Sequence, residues 1–161
     1  MTDFFSRLED RVRAVDSLLC VGLDPHPGDL PEDSAQAAYE FCLRLIETIA
    51  RSAAAFKPNA AFFEAYGGEG IEVLRKVIAA IPDGIPVILD AKRGDIASTA
   101  EAYARAAFKA LGADAITISP YLGRDSVEPF LKDPENGVFF LCKTSNPSAS
   151  DFQDQVIAGT G

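Results

Sequence analysis

A chain of 161 residues with 48% hydrophobic content is of single-domain length and can bury a sizeable core, which argues against a disordered polypeptide. The formal net charge of −9, with no run of Lys and Arg, argues against a nucleic-acid or anionic-membrane partner, yet leaves room for a small anionic substrate because a few lysines can reverse the field inside a cleft. No stretch approaches the roughly 18 apolar residues of a membrane span, and MTDFFSRLEDRVRAVDS mixes acids and bases unlike a signal peptide, so the expected location is the cytosol.

In chain order, Phe4 to Val15 reads as an opening helix and Leu18 to Leu23 as a first strand. Ala35 to Ala50 has helical spacing, with Ala38, Phe41, Leu45 and Ile49 on one face. Ala53 to Lys57 is a second strand. Gly67, Gly68 and Gly70 in YGGEG fit neither G-x-G-x-x-G nor the P-loop and read as a plain loop. Ile71 to Ile81 is helical, carrying Ile71, Leu74, Ile78 and Ile81 on one face, and Pro86 to Leu89 is a third strand. The alanine-rich stretch Ile96 to Leu111 is a helix, followed by strands Ala115 to Ser119 and Val138 to Cys142. The tail SASDFQDQVIAGTG reads as a loop entering another helix, with no strand after it, which suggests truncation.

Alternating strands and helices, with strands apolar on both faces, specify an α/β protein with a parallel sheet. Length favours an open doubly wound sheet over a (β/α)8 barrel of about 250 residues. The polar residues favour the barrel: Asp24, Lys57, Asp90, Ser119 and Lys143 to Ser145 end successive strands, and C-terminal strand ends converge on one site in that fold.

The densest chemical signal is Val87 to Ile96, VILDAKRGDI. Strand alternation sends Asp90 and Lys92 to the same face, Gly94 permits a tight turn, and Asp95 opens the next helix. Simpler readings stand beside this one. Asp95 could be only an N-cap, and Asp90 with Lys92 or Lys57 a structural ion pair. Asp24, before Pro25, His26 and Pro27, and Ser145 in TSNPS could each form a turn. Ile96 and Thr99 fit ordinary core or interface positions. His26, the only histidine, is expected to face solvent without a metal partner, and Cys20, Cys42 and Cys142 to be buried free thiols. Lys143 suits charge pairing as well as substrate contact, and Arg124 reads as a solvated loop charge.

Asp-x-Lys-x-x-Asp closing the third strand, as LDAKRGDI, resembles the signature of the orotidine 5′-phosphate decarboxylase family, in particular its bacterial type 2 subgroup. VGLDP, FKPNAAFFEAYG, ITISPYLG and CKTSNPSASDFQ agree with it in order and spacing. The resemblance implies a partial (β/α)8 barrel, about its first five βα units, with residues 1–161 forming the N-terminal portion of one domain before strands six to eight. It implies conversion of orotidylate to uridylate without cofactor or metal. Lys92 would protonate C6 of the pyrimidine, Asp90 would lie beside the substrate carboxylate, and Lys57 and Asp95 would complete an alternating network. Asp24 would contact the ribose, Ser145 the pyrimidine edge, and Ile96 would pack near the ring. A homodimer is implied, with Asp95 and Thr99 reaching across it. The phosphate-gripping residues would lie outside this chain, so the chain alone is expected to be inactive. A Mg²⁺-dependent sugar-phosphate decarboxylase or lyase of the same superfamily, or a non-catalytic remnant, are the alternatives.

Overall fold

Five parallel strands follow one another in space in the same order as in the chain. The computed structural model describes residues 2–156 and 159. Strand β1 (Cys20–Leu23) pairs with β2 (Ala55–Pro58), Cys20 opposite Ala55 and Leu23 opposite Pro58. Strand β3 (Ile88–Arg93) pairs with β4 (Ala115–Ile118), and β4 with β5 (Gly137–Phe140). Single bridges, Phe56 to Val87 and Asn59 to Asp90, join β2 to β3. A doubly wound sheet reverses its strand order at a switch point, whereas here each strand's neighbour is the next in sequence. The strands form an arc of a (β/α)8 barrel, which decides between the two architectures against the argument from length.

Strand alternation divides the side chains between two sides of the arc. Val21, Leu23, Phe56, Leu89, Ile116, Ile118 and Val138 are buried in the larger core. There they meet Cys42 and Ile46 of α2 (Ala35–Ile49), Phe63 of α3 (Ala60–Glu64), and Val73, Leu74, Val77 and Ile78 of α4 (Gly67–Ala80). Helix α5 (Ala97–Arg105) contributes Ala100 and Ala104 and runs on into a π-helical turn, Ala106–Ala110. A short α6 (Arg124–Val127) precedes β5.

The opening helix α1 (Phe4–Val15) packs against the N-terminal ends of the strands. Asp3 caps it by accepting the Ser6 N–H at 3.1 Å. Phe4 is fully buried in a second cluster with Ala55, Ile88 and Ala115, its ring edge-on to Phe139 at 6.0 Å. Gly137 makes room for it, since a Cβ there would stand 2.2 Å from that ring. Arg7 donates to Asp114 at 3.2 Å and to the Glu135 carbonyl at 2.9 Å, while Arg11 donates to the carbonyls of Ala50 and Ala53.

Several local expectations need correction. YGGEG is no loop: α4 begins at Gly67, and a Cβ on Gly70 would lie 1.8 Å from the Phe63 carbonyl oxygen. The glycine therefore serves the close approach of α3, an element the periodicity did not reveal. The buried face of α4 runs through Gly70, Val73, Leu74, Val77 and Ile78, leaving Ile71 41% exposed. Cys42 is buried and burial pushes its thiol up to about 12, but Cys20 and Cys142 are exposed. Cys20 lines the inner side of the open arc, and Cys142 follows β5, which pairs on one side only among the described residues.

Candidate active site

The C-terminal ends of β2 and β3 bring three of the expected charged residues together. Asp90, 8% exposed, accepts from Lys57 Nζ at 2.7 Å through Oδ2 and from Lys92 Nζ at 2.6 Å through Oδ1. Burial pushes the Asp90 carboxyl upward, but hydrogen bonds from Lys57, Lys92 and Thr117 outweigh it and hold the group at about 2. Burial likewise opposes the Lys57 ammonium, and the Asp90 carboxylate overcomes it, raising Lys57 above its ordinary value. Lys57 is wedged at the end of a buried strand, whereas the Lys92 side chain is half exposed toward the mouth.

Lys92 has φ 47°, in the left-handed region. Such a backbone is uncommon for a residue with a Cβ and re-aims its side chain relative to a regular strand. The next residue anchors this bend. Arg93 forms an ion pair with Glu64 at the end of α3, lies 5.0 Å over the Tyr103 ring of α5, and accepts the Ser119 N–H on its carbonyl at 2.7 Å. Gly94 has no left-handed turn to make. It lets the chain pass Ser119, whose carbonyl oxygen would stand 3.0 Å from a Cβ there.

Asp24 ends β1 half-buried, with Oδ1 buried and unpartnered among the described residues. A buried acceptor without a donor is unfavourable and suits an incoming hydroxyl. Gly22 makes space for this side chain, since a Cβ there would lie 3.1 Å from Asp24 Oδ2. The Asp24 carbonyl also accepts the His26 N–H at 2.8 Å, so the turn expected at the prolines is present as well. His26 is exposed, edge-on to Phe62.

The remaining predicted residues are not drawn into this cluster. Asp95 Oδ1 accepts the Ile96 N–H at 2.8 Å, and α5 starts at Ala97 with Ile96 at its cap, so Asp95 is not the N-cap. Ile96 is 56% exposed, and Thr99 and Ser145 are also exposed. Around Ser145 the loop closes on itself: Thr144 and Gln153 exchange two hydrogen bonds and Lys143 pairs with Asp154. Arg124 lies on α6, 3.9 Å from Glu128. No group of three or more metal-ligating side chains occurs among the described residues, and no helix of the described residues is long and apolar enough to cross a membrane.

Two contributors were not anticipated, Arg93 with Glu64 and Thr117 of β4. Thr117 Oγ1 donates to Asp90 Oδ1 at 3.0 Å and accepts the N–H groups of Ala91 and Lys92. A hydroxyl flanked by isoleucines in an apolar strand is the signal that could have marked it.

Residues 17–160 match the family described as Orotidine 5′-phosphate decarboxylase / HUMPS. A protein named orotidine 5′-phosphate decarboxylase from Roseiflexus castenholzii is 50% identical over 159 residues, covering 97% of this chain and 58% of that protein. Its namesake from Variovorax paradoxus is 48% identical over 160 residues, covering 97% and 58%. The solved Leishmania donovani OMP decarboxylase superposes with TM-score 0.89 at 54% identity, covering 98% of this chain and 60% of that one. The UMP synthase structure from the same organism superposes with TM-score 0.90 at 54% identity, covering 99% and 34%. The chain thus spans somewhat under three fifths of the length of these curated relatives. With the family match running through β1 to β5, the chain belongs to the Orotidine 5′-phosphate decarboxylase / HUMPS family.

Proposed function

We propose that this chain supplies the decarboxylating half of an enzyme that converts orotidine 5′-phosphate to uridine 5′-phosphate, the decarboxylation step of cytosolic pyrimidine synthesis. The observation that carries it is the Lys57–Asp90–Lys92 array at the mouth of the arc. When the C6–carboxylate bond breaks, its electron pair stays on C6, where no neighbouring carbonyl can delocalise it as an enolate. A fixed ammonium nearby is then the main stabiliser, worth roughly 4 kcal/mol at about 4 Å and an effective dielectric near 20.

In this reading the Lys92 ammonium faces C6 and passes one Nζ proton to it as carbon dioxide leaves, ending as a neutral amine. Asp90 lies beside the substrate carboxylate, repelling it more before cleavage than after, and holds Lys92 in the charged form. Lys57 keeps Asp90 ionised. Asp24 meets the ribose, Ile96 packs near the ring, and Ser145 closes on the pyrimidine edge. Asp95 and Thr99 act across a homodimer, in keeping with the half-buried position of Asp95 and the exposed position of Thr99 around the start of α5. None of these roles calls for a cofactor.

In barrels that take phosphorylated substrates, the phosphate usually sits on loops after strands seven and eight, and its binding energy drives closure. Five strands alone lack that grip. The 161-residue chain by itself is expected to leave orotidylate absorbance nearly unchanged, whereas the same chain joined to the remaining portion of the Roseiflexus castenholzii relative consumes it. Turnover by the joined enzyme should survive EDTA; loss of turnover on chelation would instead favour a Mg²⁺-dependent reaction of the same superfamily.

A further inference from the structure

Strands β3 and β4 run in step at Ile88–Ala115 and Leu89–Ile116, then meet again only at Arg93–Ile118. Four steps along β3 thus answer two along β4, so the backbone bulges over Asp90, Ala91 and Lys92. A side chain fills the gap in the ladder. Thr117 Oγ1 accepts the Ala91 N–H at 3.1 Å and the Lys92 N–H at 3.0 Å, and donates to Asp90 Oδ1 at 3.0 Å. A hydroxyl offers one proton and two lone pairs. All three are used, and each direction is fixed, because an amide N–H only donates and an ionised carboxylate only accepts.

A threonine in an apolar strand needs no special reason, since β-branched residues favour strands. Strand preference alone, however, does not place three bonds from one hydroxyl on the successive residues Asp90, Ala91 and Lys92. Lys92 holds a left-handed backbone, which a residue with a Cβ keeps when its surroundings impose it. The oxygen that Thr117 meets is also the one that Lys92 Nζ meets, Asp90 Oδ1.

We propose that Thr117 is a positioning residue: its hydroxyl pins the β3 bulge and one Asp90 oxygen, and thereby sets where the Lys92 ammonium stands. That this serves decarboxylation rests on the reading above; that it fixes Asp90 and Lys92 does not. The charged groups around Asp90 are Lys57 from β2 and Lys92 from its own strand, with Asp24 at the end of β1 acting on Lys57. All remain when Thr117 is changed.

The test is a carbon-13 NMR titration of the Asp90 carboxyl in the unaltered chain, in Thr117→Val and in Thr117→Ser. Valine keeps the shape and removes the hydroxyl, so the Asp90 midpoint should rise by about half a unit or more. Exchange of the Lys92 amide should quicken about tenfold with the far-UV spectrum unchanged, and serine should restore both. An unmoved midpoint and unchanged exchange in folded Thr117→Val would overturn the proposal. If that variant does not fold, the unaltered chain decides through its Thr117 side-chain couplings. A single χ1 rotamer supports the pinned hydroxyl, and averaging over rotamers overturns it. Should the completed enzyme fail to consume orotidylate while these shifts appear, the catalytic reading falls and the positioning stands.

Discussion

Asp90 concentrates the electrostatics of the site, since two ammonium groups and a hydroxyl converge on one nearly buried carboxylate. Its folded-state value of about 2 lies below its ordinary 3.8, so it binds a proton less readily folded than unfolded. The stability it contributes is therefore present above about pH 4 and lost as pH falls toward 2. The shift corresponds to roughly 2 kcal/mol. Urea unfolding at pH 5 and pH 2.5 should show that loss in the unaltered chain and a smaller one in Asp90→Asn; equal losses would contradict it. Lys57 has the opposite sign: raised above its ordinary value, it contributes below about pH 10 and loses that contribution as pH rises through its folded value. Asp90 and Lys92 were legible as neighbours because strand alternation puts i and i+2 on one face. The bulge and the left-handed Lys92 were not, since they depend on a register with β4 that no local pattern encodes.

At the scale of elements, α1 and the α3–α4 pair show how packing settles what propensity leaves open. Phe4 is fully buried between Ala55, Ile88 and Ala115, so Phe4→Ala should cost about 3–5 kcal/mol by urea denaturation. A cost below about 1 kcal/mol would mean that α1 does not seal that end of the arc. Gly70→Ala sets a methyl against the Phe63 carbonyl and should lower Tm by several degrees, although alanine is the better helix former. That conflict explains why YGGEG looked like a loop: glycine is a poor helix residue, and only the approach of α3 accounts for it. Helix α1 was read with its bounds intact because its ends carry local signals, Asp3 capping the start and Asp16 in a left-handed turn at the finish.

For the whole molecule, the order of strands carries more than any motif, because consecutive parallel neighbours build an arc that closes only with further strands. On its inner side lies a cavity of about 370 Å³ bordered by Leu8, Val12, Leu18, Ile88 and Phe139. Strands β1 and β5 each pair on one side among the described residues, and Phe140 stays 46% exposed. Unpaired edges beside apolar surface favour association between chains. Sedimentation of the 161-residue chain should therefore show concentration-dependent association that subsides once the remaining strands are joined. Recurrent polar strand ends made the barrel legible, while the chain's length pointed toward an open sheet because a (β/α)8 domain normally needs more residues.

The proposed role of the Lys92 ammonium, stabilising and protonating the developing carbanion, is open to one comparison. In the enzyme completed with the Roseiflexus castenholzii portion, kcat for orotidylate is measured for the unaltered site and for Lys92→Ala, together with the affinity of each for uridylate. A fall in kcat of at least about a thousandfold is expected, roughly 4 kcal/mol of lost transition-state stabilisation, with uridylate binding held within about tenfold. A Lys92→Ala enzyme that keeps a tenth or more of its turnover would contradict it.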